Sequence, residues 1–317
     1  MTENRLLGYF KTRLTYGVVA CIICPVLGAL GQWHWILDLF SHFRIQYTIT
    51  LLGIGAALLL LRHTRWGFIS CITGIVLSIS LLPYAPKQAP ETLPAPEHNL
   101  LNYNLNTANR KYQEVLEFLQ TTNADIVFLM EVNQTWISKL SALKASYPYS
   151  IMHPRSDNFG LALYSKHPID NGMIPSFGSN ELPTIEAAIR LPKQTLHLIG
   201  THPLPPVSKE NSDSRNQQLT SIAAHIQNTS HDYQIVTGDL NCTPWSFIFK
   251  DFTQQAALKD SSIGNGIGGT WFRKLGFISI PIDHILGSER ITFTEKEIKD
   301  TFGSDHSAVL VNFILHP

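Results

Sequence analysis

The run Leu100-Leu-Asn-Tyr-Asn-Leu-Asn106 alternates apolar with polar residues, and Asp125-Ile-Val-Phe-Leu-Met-Glu131 is apolar throughout until it ends in a carboxylate. The first pattern predicts a strand with one buried face and the second a strand buried on both. Between them Tyr112, Val115, Leu116 and Leu119 recur at i, i+3, i+4 and i+7, the spacing of an amphipathic helix. A β-α-β opening implies a right-handed crossover, with the strands parallel or separated by one neighbour. Further strands are expected at Gly160–Tyr164, Glu186–Leu191, Leu196–Thr201, Gln234–Thr237, Ile282–Leu286 and Val309–Ile314. A second amphipathic helix carries Leu219, Ile222, Ala223 and Ile226. Many strands with few helices point to two packed sheets with helices outside.

Polar residues recur where these strands end. Asn104 and Asn106 close the first strand and Glu131 the second. Thr201-His202, Thr237-Gly-Asp239-Leu-Asn241, Asp283-His284 and Gly303-Ser-Asp305-His306 complete the series. Apolar strands that each deliver a carboxylate, amide or imidazole to one end are how a rigid scaffold presents a polar site.

The chain before these strands is a different material. Only 15% of the 317 residues are charged, against about 25% in an ordinary soluble domain. The net charge of +0 divides into +4 over residues 1–86 and −4 over residues 87–317. Three runs carry no formal charge: Leu14–Leu37, Ile45–Leu61 and Trp66–Pro86, with 24, 17 and 21 residues. A helix needs about 20 apolar residues to cross a bilayer core, so three transmembrane helices are expected. A signal peptide would be followed by soluble sequence, whereas two more apolar runs follow the first here. Arg5, Lys11 and Arg13 precede the first run, and Arg62 and Arg65 lie between the second and third. The positive-inside rule then puts the N-terminus in the cytoplasm. Three crossings of a cytoplasmic (inner) membrane put everything after Pro83 outside, in the periplasm or extracellular space.

The expected organisation is a membrane domain over residues 1–83, a spacer over 84–97 and a catalytic domain over 98–317. Five prolines between Pro83 and Pro96 make the spacer stiff and extended. Cys242 is the only cysteine outside the apolar runs, so the outer domain is held by its core without an internal disulfide. Cys21 and Cys24 have CxxC spacing, but in an apolar helix they read as small packing residues.

Asn104, Glu131, Thr-His202, Gly-Asp239-Leu-Asn241, Asp283-His and Ser-Asp305-His306 stand in the order and approximate spacing of the endonuclease/exonuclease/phosphatase superfamily. Six such motifs in order over about 200 residues make the resemblance specific, although each alone is weak. It covers about residues 98–317 and implies an α/β fold, a four-layer DNase I-like sandwich with its site at one edge of the paired sheets. The whole layout is similar to glycopeptide-resistance-associated membrane phosphatases of this superfamily, which also join N-terminal helices to an exported catalytic domain.

The resemblance implies a metal-dependent phosphoesterase. Glu131 with Asn104 beside it would hold Mg²⁺ (Mn²⁺ as alternative), and Asp305 would be a further ligand. Mg²⁺ takes one or two carboxylates plus water and phosphate oxygens. His306 would be the general base, oriented by Asp283. Asp239 and Asn241 would position the attacking water or stabilise developing charge. His202 would contact the scissile phosphate or act as an acid. Arg215, at the start of a helix, could bind an outer phosphate bidentately, and Asn158-Phe-Gly160 resembles the family's approach to the site. His284 reads as structural, and Trp245 and Trp271-Phe272 as core or as the lining of an apolar substrate entrance, with core favoured. The expected partners are a lipid phosphate, of isoprenoid pyrophosphate type, and the membrane. A phosphodiesterase of sphingomyelinase or phospholipase C type is the alternative. Nucleic acid is disfavoured, because a domain at −4 lacks the cations that displace counterions, and no protein partner is implied.

Overall fold

The structure, a computed structural model, describes residues 3–87 and 97–317. It divides into two compact units, a helical one ending at Ala85 and one carrying the strands. Most of the proline-rich spacer, residues 88–96, lies outside the described residues.

The first unit contains α1 (Glu3–Ala29), α2 (Trp35–Leu39), α3 (Arg44–Leu60) and α4 (Thr64–Ile79). Two stretches, Arg5–Ala29 and Trp35–Leu60, are long and apolar enough to cross a membrane. The expectation of three such helices is therefore corrected to two: the third, α4, has 16 residues, about 24 Å at 1.5 Å per residue. The charge-free run Trp66–Pro86 overstates it, because regular α-helix stops at Ile79 and a short 3₁₀ turn, Leu82–Tyr84, takes in Pro83. Likewise the run Leu14–Leu37 contains the turn at residues 30–34. α3 and α4 approach closely at Gly55, Gly67 and Gly74, where a Cβ would fall within 2.5–2.9 Å of the facing helix. Small residues at such a seam let helices gain van der Waals contact where no hydrophobic drive exists. Ser70 adds a buried hydrogen bond, donating to the Leu51 carbonyl at 2.6 Å.

The second unit opens with β1 (His98–Asn104), α5 (Tyr112–Thr122), β2 (Ile126–Met130), α6 (Gln134–Lys139), β3 (Tyr149–His153) and β4 (Leu161–Ser165). It continues with β5 (Ile169–Met173), β6 (Thr184–Arg190), β7 (Thr195–Thr201), α7 (Lys209–Thr229), β8 (Gln234–Asp239) and α8 (Phe247–Gln255). Last come β9 (Lys259–Asp260), β10 (Asp283–Gly287), β11 (Ile291–Ile298) and β12 (Val309–Leu315). They form two six-stranded sheets, ordered β11-β12-β1-β2-β4-β3 and β5-β6-β7-β8-β10-β9. β1 and β2 are parallel and adjacent, as are β7 and β8.

The packing is four-layered, as expected. Phe128, Leu163, Ile185, Leu198, Ile235 and Val311 fill the space between the sheets. Val115, Leu119 and Trp136 seal α5 and α6 onto the outside of one sheet, and Leu219, Ile222 and Phe252 seal α7 and α8 onto the other. All eight expected strands form, with ends shifted by at most two residues. Four further strands, β3, β5, β9 and β11, lie at sheet edges. The exposure of β5 shows why no pattern betrays it: four of its five residues face solvent.

The order of strands fixes where chemistry can happen. The C-terminal ends of the parallel neighbours β1 and β2 point the same way, and so do those of β7 and β8. The antiparallel β10 brings its first residue, Asp283, opposite Asp239 at the end of β8.

Candidate active site

Asn104, Glu131, His202, Asp239, Asn241, Asp283, Asp305 and His306 come together at that edge. Asn104 donates from Nδ2 to Glu131 Oε1 at 3.0 Å and to Asp239 Oδ2 at 3.3 Å, joining one sheet to the other. The same Asp239 oxygen lies 3.5 Å from His202 Nε2 and 3.6 Å from His306 Nε2. His306 Nδ1 is 2.9 Å from Asp283 Oδ2, so Nδ1 is committed to that carboxylate and Nε2 faces the site. The Asn241 amide donates to Asp239 Oδ1 at 3.0 Å, and its side chain donates to the Pro203 carbonyl at 3.0 Å.

Gly238 is required immediately before Asp239, because a Cβ there would sit 1.8 Å from the Thr201 carbonyl oxygen. Three of the polar residues hold left-handed backbone: Asn106 at φ +59°, Glu131 at +58° and Asn241 at +51°. Asparagine tolerates this region, whereas glutamate rarely does. Such strain persists where the surroundings over-determine it. At Glu131 they do: Oε2 accepts from the Thr107 amide at 2.8 Å while Oε1 accepts from Asn104.

Burial works against the charged form of His306, but Asp283 and Asp239, with the Asp283 hydrogen bond and Asp305, outweigh it and push the imidazole up to about 10. His202, fully buried, is also raised, because Asp239 and Glu131 overcome the burial penalty. Asp239 is held below the ordinary carboxylate range: burial opposes ionisation, but His306 and His202 prevail.

A cavity of about 260 Å³ opens on this cluster, lined by Glu131, Asn158, Phe159, His202, Pro205, Asp239, Asn241, Trp271, Asp305 and His306. Among the described residues its charged lining is three carboxylates and two imidazoles, with no lysine or arginine. Ligand atoms of Asp239, Asp283 and His306 also lie within 4.8 Å of one another. Asp283 Oδ1 and His202 Nδ1 are buried without a hydrogen-bond partner. Concentrated anionic oxygen donors, only partly offset by the two imidazoles, suit a hard divalent cation.

Arg215 lies elsewhere. It is 1% exposed and does not line the cavity; Nη1 donates to the Asn241 carbonyl at 2.8 Å and Nε to Asn216 Oδ1 at 3.0 Å. The expectation that it grips an outer phosphate does not fit this burial; it fixes the backbone of Asn241 instead. Asn158 does line the cavity, beside Phe159, whose ring lies 5.3 Å from that of His202.

Trp271 follows the second of its two readings, a lining residue and not core: it is half-buried, lines the cavity, and donates from Nε1 to Asp305 Oδ2 at 3.1 Å. Asn106 holds the other Asp305 oxygen at 2.6 Å, a role its position after the first strand already hinted at. Phe159 lies inside the Asn158-Phe-Gly160 stretch already singled out, whereas Pro205 carried no sequence signal. His284 is fully buried, with Nε2 2.9 Å from the Cys242 carbonyl.

A buried His–Asp pair, a carboxylate cluster suited to a divalent cation and a second imidazole on one cavity define a phosphoester-hydrolysing centre. Residues 101–306 match the model of the Endonuclease/Exonuclease/phosphatase family, and the chain belongs to it. Its members are hydrolases of phosphate esters. Comparison with curated protein sequences returns no match. Among solved structures, the chain is similar to an endonuclease/exonuclease/phosphatase from Bacteroides vulgatus, with 19% identity and a TM-score of 0.58 over 69% of this chain and 99% of that one. The mannosyl-6-phosphatase of Bacteroides thetaiotaomicron gives 18% identity and a TM-score of 0.57 over 69% and 100%. Staphylococcus aureus beta toxin, whose structure has bound magnesium ions, gives 17% and 0.55 over 68% and 99%. These likenesses confirm the DNase I-like fold.

Two predictions follow from the site's geometry. Replacing Asp283 by Asn should leave the fold intact but lower kcat by roughly 10²–10⁴-fold, because the imidazole loses its orienting anion; steady-state hydrolysis of a chromogenic phosphoester measures this. Replacing Glu131 by Gly should give a protein about 1 kcal/mol more stable than Glu131→Ala, since only glycine accepts the left-handed backbone freely. Denaturant unfolding of both inactive variants checks this, and equal stabilities would mean that no strain is stored there.

Proposed function

We propose that the chain is a membrane-anchored, divalent-metal-dependent hydrolase of a lipid phosphate or pyrophosphate, working at the outer face of the cytoplasmic membrane. The observation that carries the lipid reading is the loop after Trp271. Phe272, Leu275, Phe277 and Ile278 are 39–57% exposed, a cluster of apolar side chains that water disfavours, next in sequence to a residue lining the cavity. A lipid's phosphate reaching the cavity would bring its apolar tail to such a rim. The lack of lysine and arginine among the described residues of the cavity lining weighs against a polyanionic nucleic acid.

Glu131, with Asp305 and Asn104 beside it, would hold the ion. Bound Mg²⁺ would neutralise phosphate charge and favour an attacking hydroxide. The remaining work falls to the chain. Asp283 keeps His306 Nε2 directed at the cavity. A cation among the carboxylates offsets the anionic field that raises His306, letting the imidazole release its proton and act as base toward water. His202, turned toward Asp239, is placed to donate a hydrogen bond to a phosphate oxygen. Asn241, anchored at Pro203 and by Arg215, holds its place beside Asp239.

The outer location requires a further crossing beyond the two full-length spans, and among the described helices α4, with 16 residues, would have to make it. Ser80 and Leu81 continue in the right-handed helical region beyond Ile79, so the rise through Leu82 approaches the ~30 Å hydrocarbon thickness. Two crossings from a cytoplasmic N-terminus would return the catalytic unit to the cytoplasm; three place it outside.

The purified full chain in detergent should release phosphate from an isoprenoid pyrophosphate and stop on addition of chelator. A panel including sphingomyelin, inositol phosphates and DNA makes the competing outcomes explicit: preference for sphingomyelin would favour a phosphodiesterase, and preference for DNA would overturn the lipid reading. Reporter fusions at Pro317 should be active as a periplasmic or extracellular reporter and silent as a cytoplasmic one; the reverse would overturn the three-crossing topology.

A further inference from the structure

At the end of β1 opposite the active site, His98, Asp125 and His167 converge. Each has a ligand atom within 4.8 Å of one on both of the others. His98 is the first residue of β1, Asp125 immediately precedes β2, and His167 lies in the turn between β4 and β5. From His98 to Asn104, β1 spans about 20 Å at 3.3 Å per residue, so the cluster is separate from the catalytic cavity.

The three side chains are held in place by their neighbours. Asp125 and Asn99 bond reciprocally: the Asn99 amide donates to Asp125 Oδ2 at 3.1 Å and the Asp125 amide donates to Asn99 Oδ1 at 2.7 Å. Ser165 fixes the turn, with Oγ accepting from the His167 amide at 3.0 Å and donating to the His167 carbonyl at 2.8 Å. The two imidazoles stand edge to face, ring centres 5.8 Å apart and planes 88° apart. His98 is 7% exposed, and its Nδ1 is buried with no hydrogen-bond partner. A buried ring nitrogen left unpaired is costly. Two cations stand near the cluster: Lys166, whose Nζ is 3.5 Å from Asp125 Oδ1 and also donates to the Asn123 carbonyl, and Lys193, paired with Glu97 beside His98.

We propose that His98, Asp125 and His167 form a second metal site, for Zn²⁺ or a similar borderline-soft divalent ion, that ties the start of β1 to β2 and to the β4–β5 turn. Two imidazoles and one carboxylate match zinc better than magnesium, which prefers oxygen donors throughout. Three protein ligands leave a fourth position for water. Tetrahedral donors about 2.0–2.1 Å from zinc lie about 3.4 Å apart, so a contraction within side-chain reach closes the site. Asn99, bonded to Asp125, supplies the outer hydrogen bond that metal-ligating carboxylates use. Metal bound only by the folded form stabilises it.

The test uses the full chain in detergent, free of any affinity tag, dialysed against buffered Zn²⁺ and analysed by atomic emission. The wild type should carry one more zinc per chain than His167→Ala and than Asp125→Asn. Zinc should raise the unfolding midpoint of the wild type by roughly 5 °C at a hundredfold excess over Kd, and that of His167→Ala by clearly less. Cobalt substitution should give a visible d–d absorption that diminishes in the same variants. His167 is half-buried in a turn, so its removal is compatible with folding, which the midpoint without metal verifies. Equal zinc content in wild type and His167→Ala, or a midpoint shift of the same size in both, would overturn the proposal.

Discussion

The catalytic unit depends on one buried carboxylate. Asp239 is 2% exposed, and ionised it would be intolerable there without partners. Its Oδ2 is shared by Asn104 from one sheet, and by His202 and His306. Its Oδ1 takes the Asn241 amide. The bond to Asn104 crosses between the two sheets, so the packing that sets their separation also sets the site. Gly238 is part of the same constraint, because any side chain there would collide with Thr201 and lift Asp239 out of register. Met130 closes the arrangement from below, its sulfur 3.0 Å from the Asp239 amide.

From this hub the other residues acquire roles in layers. Asp283 orients His306 without facing the cavity, and Arg215 holds the Asn241 carbonyl from behind. Asn106 and Trp271 occupy both oxygens of Asp305. Groups that meet substrate are thus fixed by groups that do not, the condition for an electrostatic site to act without reorganising. The strained Glu131 backbone fits this reading, since a segment held on all sides can keep a conformation that a free chain would leave.

Much of the catalytic unit was legible in the sequence because its signals are local. Central strands are apolar on both faces, α5 shows its helical period, and Asn104, Glu131, Asp239 and His306 follow strands that can be recognised. What stayed hidden depends on tertiary context. The edge strands β3, β5 and β11 are half-exposed and carry no clean alternation. Arg215 reads in sequence as a helix-start phosphate ligand, yet α7 begins earlier, at Lys209, and turns it inward to hold the Asn241 carbonyl. Trp271 sits on a loop whose approach to His306 depends on the β10 and β12 framework. In the helical unit, counting uncharged residues overstated the third helix, because charge is blind to where a turn begins.

Charge also sets what the site must recruit. A phosphate group approaching Glu131, Asp239 and Asp305 meets repulsion, and two imidazolium rings offset only part of it. A basic groove would solve this by surface charge, at the price of binding every polyanion in reach. This protein instead concentrates acids in a small cavity, where one divalent cation can reverse the local sign and is itself most tightly held. Attraction then extends only as far as the ion's own coordination sphere. The proposed function leaves selection among phosphoesters to the walls: Phe159, Pro205 and Trp271 line the cavity, and the loop after Trp271 is apolar and exposed. On the proposed reading, a substrate with one phosphate-bearing end and a long apolar remainder meets both demands together, and a polymer of phosphates does not.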